Sequence, residues 1–135
     1  MSWRSLLAAS VGLLMLPGAG ACPLQADDGW RVAGEGVTLA WRVHDDGPAD
    51  AAPPLATPFA LQVRLCPPQA ELLAVDATMP AHRHGMNYRP SLQALGGGRW
   101  RVDGLLWHMP GTWSLRLEVR LDGRTQVLQQ RVDLQ

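Results

Sequence analysis

Trp113-Ser114-Leu115-Arg116-Leu117-Glu118-Val119-Arg120-Leu121-Asp122-Gly123 is the stretch from which the fold can be read. Apolar side chains at 113, 115, 117, 119 and 121 alternate with polar ones at 114, 116, 118 and 120. Such a period-two pattern turns one face of a strand to a core and the other to water. A helix, repeating every 3.6 residues or so, would scatter the same side chains around its whole surface. Asp122-Gly123 suits the left-handed backbone of a tight hairpin, so the chain returns at once in a second strand from Val127 to Leu134.

The alternation recurs upstream. Val37, Leu39, Trp41 and Val43 oppose Thr38, Ala40, Arg42 and His44, and Phe59, Leu61, Val63 and Leu65 repeat the theme. In Leu72 to Thr78 the apolar face reads Leu73, Val75 and Ala77 and runs on to Met79. Leu92 to Leu95 and Trp100 to Trp107 add two more pieces, parted by Gly96-Gly97-Gly98, which costs too much entropy inside a strand and reads as a turn. Asp45 to Pro58, rich in Pro, Ala and Asp, reads as a long surface loop. The expectation is an all-β, antiparallel β-sandwich of about seven strands in one domain. Periodicity leaves an immunoglobulin-like and a cupredoxin-like arrangement both open.

Composition sets limits on function. The 135 residues carry 12 basic side chains, every one an arginine, against 12 acidic ones. A net charge of zero leaves no surplus for a polyanion, and nucleic acid is excluded as a partner. With 47% hydrophobic and 18% charged residues, 14 Gly and 11 Pro, the chain suits one turn-rich globular unit.

Residues 1–21 read as a signal peptide. Arg4 supplies the positive start, Leu6 to Leu16 an apolar run shorter than the roughly 20 residues that span a bilayer. Pro17-Gly18 ends it, and Ala19-Gly20-Ala21 offers the small residues of a cleavage site. The domain is then 22–135, exported to the periplasm. Cys22 admits two mutually exclusive roles: acylation, which would anchor the chain to a membrane, or a disulfide with Cys66, the only other cysteine. Ala19 stands where a lipoprotein signal carries a large aliphatic residue, which favours soluble export and the disulfide.

The chemistry lies in two segments, Met79-Pro80-Ala81-His82-Arg83-His84-Gly85-Met86 and Trp107-His108-Met109-Pro110-Gly111. Beyond residue 21 these hold all the methionines and every histidine but His44, which reads as an ordinary surface residue. Thioether sulfur with imidazole suits Cu(I), with Cu(II) accessible to the histidines, whereas zinc sites use Cys, His and carboxylate. If the backbone is extended, His82, His84 and Met86 share one side, and His108 closes the site if the second segment packs beside them. His82, His84, Met86 and His108 are therefore the candidate metal ligands, with Met79 and Met109 in reserve. Met79 also reads as a core residue, and Met109 as a plug beside Pro110-Gly111.

The pairing of the M-P-x-H-x-H-G-M segment with Gly98-x-Trp100-x-Val102-x-Gly104-Leu105-x-Trp107-His108-Met109-Pro110-Gly111-x-Trp113 resembles the YtkA-like domains, relatives of FixH-like periplasmic proteins. The likeness runs from Phe59 to Val119. It implies a small exported immunoglobulin-like sandwich of a family often linked to copper handling, without an established enzymatic activity, and a structural role for Met109. The ligand set is also similar in kind to that of periplasmic copper chaperones of the PCuAC type, although His108 and Met109 are adjacent here.

An enzyme is not expected: there is no nucleophile elbow, and Asp76 is the single acid near the histidines. Blue-copper electron transfer lacks its cysteine thiolate. Copper chaperoning or sequestration is the leading function, with an envelope protein as partner for metal transfer. The alternative is a metal-free envelope interaction module presenting Tyr88, Trp100 and Trp107, and a zinc buffer leaves the methionines without a role.

Overall fold

The computed structural model describes Gly12 and residues 22–135, so the proposed signal peptide lies, but for Gly12, outside the described residues. Nine strands follow a short 3-10 turn at Ala26–Asp28. They are β1 (Trp30–Ala33), β2 (Thr38–Val43), β3 (Phe59–Cys66), β4 (Glu71–Met79), β5 (His84–Gly85), β6 (Ser91–Gly96), β7 (Arg99–Leu105), β8 (Gly111–Leu121) and β9 (Arg124–Leu134). All pairings are antiparallel, in a five-stranded sheet β1-β2-β3-β7-β6 and a four-stranded sheet β5-β4-β8-β9. The all-β sandwich expected from the sequence is the observed fold.

The β8–β9 hairpin is its longest unbroken ladder, from Gly111↔Leu134 to Leu121↔Arg124. Asp122 and Gly123 both adopt positive φ, 52° and 76°, which matches the right-handed twist of the strands they join. Trp113, Leu115, Leu117 and Val119 are wholly buried, as their alternation requires. Burying each aliphatic side chain of this row contributes about 1.5–3 kcal/mol relative to leaving it in water. They meet Leu39, Trp41, Leu61, Val63 and Leu65 of the facing sheet in one core. Gly96, Gly97 and Gly98 form the β6–β7 turn, each at positive φ.

The count of about seven strands is corrected to nine. The two additions, β1 and β5, are four and two residues long, too short for alternation to declare itself. β4 also departs from simple alternation. A register shift between Leu72 and Ala74 turns Leu72 into the core and leaves Leu73 half-buried, while Val75, Ala77 and Met79 keep the inward face. The strand expected to reach Trp107 stops at Leu105, and residues 106–110 cross between the sheets. Asp45 to Pro58 is a strandless loop, pinned to that crossing by the Ala56 amide, which donates to the Trp107 carbonyl at 2.8 Å.

Cys22 and Cys66 form a disulfide with Cα atoms 5.4 Å apart, tying the chain ahead of β1 to the last residue of β3. A sulfur so engaged carries no thioether-linked lipid. Among the described residues no helix is long and apolar enough to cross a membrane.

Candidate functional site

One end of the sandwich gathers the two motif segments. β4 delivers the first of them: its last residue, Met79, is completely buried, and a turn over residues 80–83 reverses the chain into β5. The His82 amide donates to the Met79 carbonyl at 3.1 Å, and Arg83 completes the reversal at φ 53°, a left-handed conformation that is uncommon for a side chain of this size. β5 then pairs Thr78↔Gly85 and Met79↔His84, and the Met86 amide reaches the Ala77 carbonyl at 3.3 Å. The extended backbone expected through His82, His84 and Met86 is thus broken: His82 lies in the turn, and extension begins only at His84. A strand cannot continue there because Pro80 supplies no amide hydrogen to a ladder.

The turn nevertheless brings the two rings alongside each other, their centroids 6.3 Å apart and their planes 27° apart. The second segment arrives from the crossing between β7 and β8. There Trp107 is fully buried, stacked on Trp113 at 5.4 Å and met edge-on by Phe59 at 5.5 Å. The Trp113 indole N–H donates to the Met109 carbonyl at 3.0 Å and so fixes the Met109–Pro110 peptide. His108 is left exposed, edge-on to Trp113 at 5.7 Å and 6.4 Å from His84. His82, His84 and His108 therefore form one group with His84 between the other two, and His108 rests edge-on against the buried Trp113.

The methionines differ from one another. Met79 belongs to the core, and its Cε lies 2.8 Å from where a Cβ on Gly111 would be, so the residue after Pro110 is one with no side chain and a φ of 128°. Met86 and Met109 are half-buried and pack against the core from either segment. Met79 and His84 are directly opposite in the β4–β5 register, with Met79 buried and His84 exposed at the sheet edge.

At metal–nitrogen bonds of about 2.0 Å, two imidazoles on one ion have ring centroids roughly 5–6 Å apart. The observed spacings are a little wider, and all three histidines are solvent-exposed. Among the described residues, no three His, Cys, Asp or Glu side chains are gathered tightly enough to hold a metal ion as they stand. The nearby acid, Asp76, turns its carboxylate to the Ala77 amide at 2.8 Å. Of the aromatics proposed as protein contacts, Trp107 is buried, Trp100 half-buried, and Tyr88 exposed.

Sequence reasoning passed over a second polar group. His44 is exposed as expected, but both ring nitrogens are engaged, Nε2 at 2.6 Å from Arg101 Nη1 and Nδ1 at 2.8 Å from Gln62 Nε2. Arg101 in turn forks onto Asp103 and holds its carboxyl below the usual carboxylate range, chiefly by that hydrogen bond. The link depends on Gln62 and Arg101 lying opposite across β3 and β7, which no single strand reveals.

Comparison of the chain with family models, curated proteins and solved structures finds no match.

Proposed function

We propose that the protein is an exported, periplasmic copper-binding protein, without catalytic activity, that takes up Cu(I) as cargo and passes it to an envelope partner or sequesters it. The row of His82, His84 and His108, drawn from the two segments that also contain half-buried Met86 and Met109, carries this reading. Imidazole and thioether together form the neutral, soft donor set that suits Cu(I), and the histidines alone serve Cu(II). His82, His84, His108 and Met86 would hold the ion, with Met109 in reserve. Met79 sits at the base of the site as part of the core. Exposed ligands on a turn and a crossing exchange with an incoming partner's ligands more readily than a closed cage does.

Titration of residues 22–135 with Cu(I) against a competing chelator, with zinc and Cu(II) alongside, tests the proposal. One tightly bound Cu(I) is expected. A His82→Ala/His84→Ala variant should bind at least about 100-fold more weakly, beyond what losing a mere outer-shell partner costs. Unchanged Cu(I) affinity in that variant would sink the assignment. Absence of binding by any metal would return the function to a metal-free interaction module.

A further inference from the structure

The outer face of the five-stranded sheet carries a groove of about 360 Å³, remote from the histidine row, lined by Arg64, Arg99, Arg101, His44, Gln62 and Leu95. Cross-strand register builds it. Arg64 and Arg99 are directly opposite on β3 and β7, and Gln62 and Arg101 form the next row but one on the same face. Like charges set directly opposite destabilise an antiparallel pair, and nothing in the packing of this sheet requires them. Asp28 relieves Arg64 with a contact of 3.2 Å, but its other oxygen accepts the Gln25 amide at 2.6 Å. Asp103 and His44 hold the Arg101 guanidinium in place from both sides. The exposed Arg99 reaches only the Gly96 carbonyl, at 3.4 Å. Asp28 and Asp103 thus answer Arg64 and Arg101, and among the described residues Arg99 is the arginine of this group left without an acid, one cation in excess on this face.

The rim adds an apolar element. The β6–β7 register shifts between Ala94 and Gly96, and the residue left unpaired there is Leu95, 48% exposed beside the arginines. Bulges of this kind re-aim a side chain. We propose that this groove binds a small organic carboxylate, its head group received by Arg99 and Arg64 and its apolar body lying on Leu95. Guanidinium donors match carboxylate oxygens in fork geometry, and Arg101 is already fixed to supply a further hydrogen bond.

Hexanoate is the probe, followed by calorimetry and by NMR of the arginine side chains, with inorganic phosphate in a parallel arm. Saturable hexanoate binding is expected, at least tenfold weaker in Arg99→Gln and clearly weaker in Leu95→Ser. Phosphate should bind at least tenfold more weakly than hexanoate because it gains nothing from Leu95. Near-UV circular dichroism of the buried tryptophans checks that each variant is folded, and Cu(I) binding should be unchanged in both. Non-saturable binding, equal affinity in folded Arg99→Gln, or phosphate binding as tight as hexanoate would each overturn the proposal, the last by reducing the groove to general attraction of small anions.

Discussion

Met79 shows how one side chain can belong to a motif and to a core at once. It has no exposed surface, faces Gly111, and is the register partner of His84 across the β4–β5 pairing. If packing is its main role, Met79→Leu, which keeps volume and removes sulfur, should change unfolding free energy by less than about 1.5 kcal/mol. Met79→Ala should lose roughly 2–5 kcal/mol through the cavity it leaves. Urea unfolding followed by tryptophan fluorescence measures both, and a Leu variant as damaged as the Ala variant would contradict the packing role. The sequence left Met79 between two roles because alternation identifies a face and not what covers it. His84 and His108, by contrast, were legible as candidates from residue type and Pro/Gly context alone. Their 6.4 Å approach was not, since it depends on a crossing between sheets.

Among the elements, β8 was readable from Trp113 to Leu121 because one face is buried from Trp113 to Val119, whereas β9 begins at Arg124, three residues before the expected Val127, since its first residues are polar and largely exposed. β4 was readable except at its bulge, where one extra residue moved Leu72 inward in place of Leu73. β5 was not readable at all: two residues have no period, and its pairing is dictated by the turn over 80–83. β7 carries an electrostatic feature open to test. Arg101 and Asp103 are two apart on one face, and the hydrogen bond from the guanidinium lowers the Asp103 pKa. A carboxyl depressed in the folded state adds stability above its unfolded pKa and loses it as pH falls through the folded value. Asp103→Asn should therefore be slightly less stable than the wild type at neutral pH, and the difference should vanish in strong acid. Because the pair is exposed, raising the salt concentration should shrink the gap as well. Urea midpoints at the two pH values decide it, and a gap that persists in acid would assign the effect to packing.

At the scale of the whole molecule, two sheets, one core and a single disulfide hold the histidine row on a rigid end. The Cys22–Cys66 bridge closes a separation of 44 residues, for which chain-entropy reasoning gives a stabilisation of roughly 4 kcal/mol. Reduction, or Cys22→Ser/Cys66→Ser, should lower the urea midpoint accordingly while leaving Cu(I) affinity intact, because the bridge lies at the end of β3 and the histidines do not touch it. Loss of metal binding in the Cys22→Ser/Cys66→Ser variant would instead show that the site needs the bridge to hold its shape. The sandwich was legible from composition and alternation, since burying one face of many short strands has few solutions. What joins two distant segments into one site was not, because it is settled by the order of strands in the two sheets.

The central claim is that His108, 24 positions after His84 in sequence, completes the same site as His82 and His84. The most direct measurement is the Cu(I) affinity of a His108→Ala variant, determined by chelator competition beside the wild-type domain. The account predicts one bound Cu(I) with affinity reduced at least about tenfold, comparable to His84→Ala alone. Wild-type affinity in folded His108→Ala would contradict it, leaving the two segments as neighbours without a shared function.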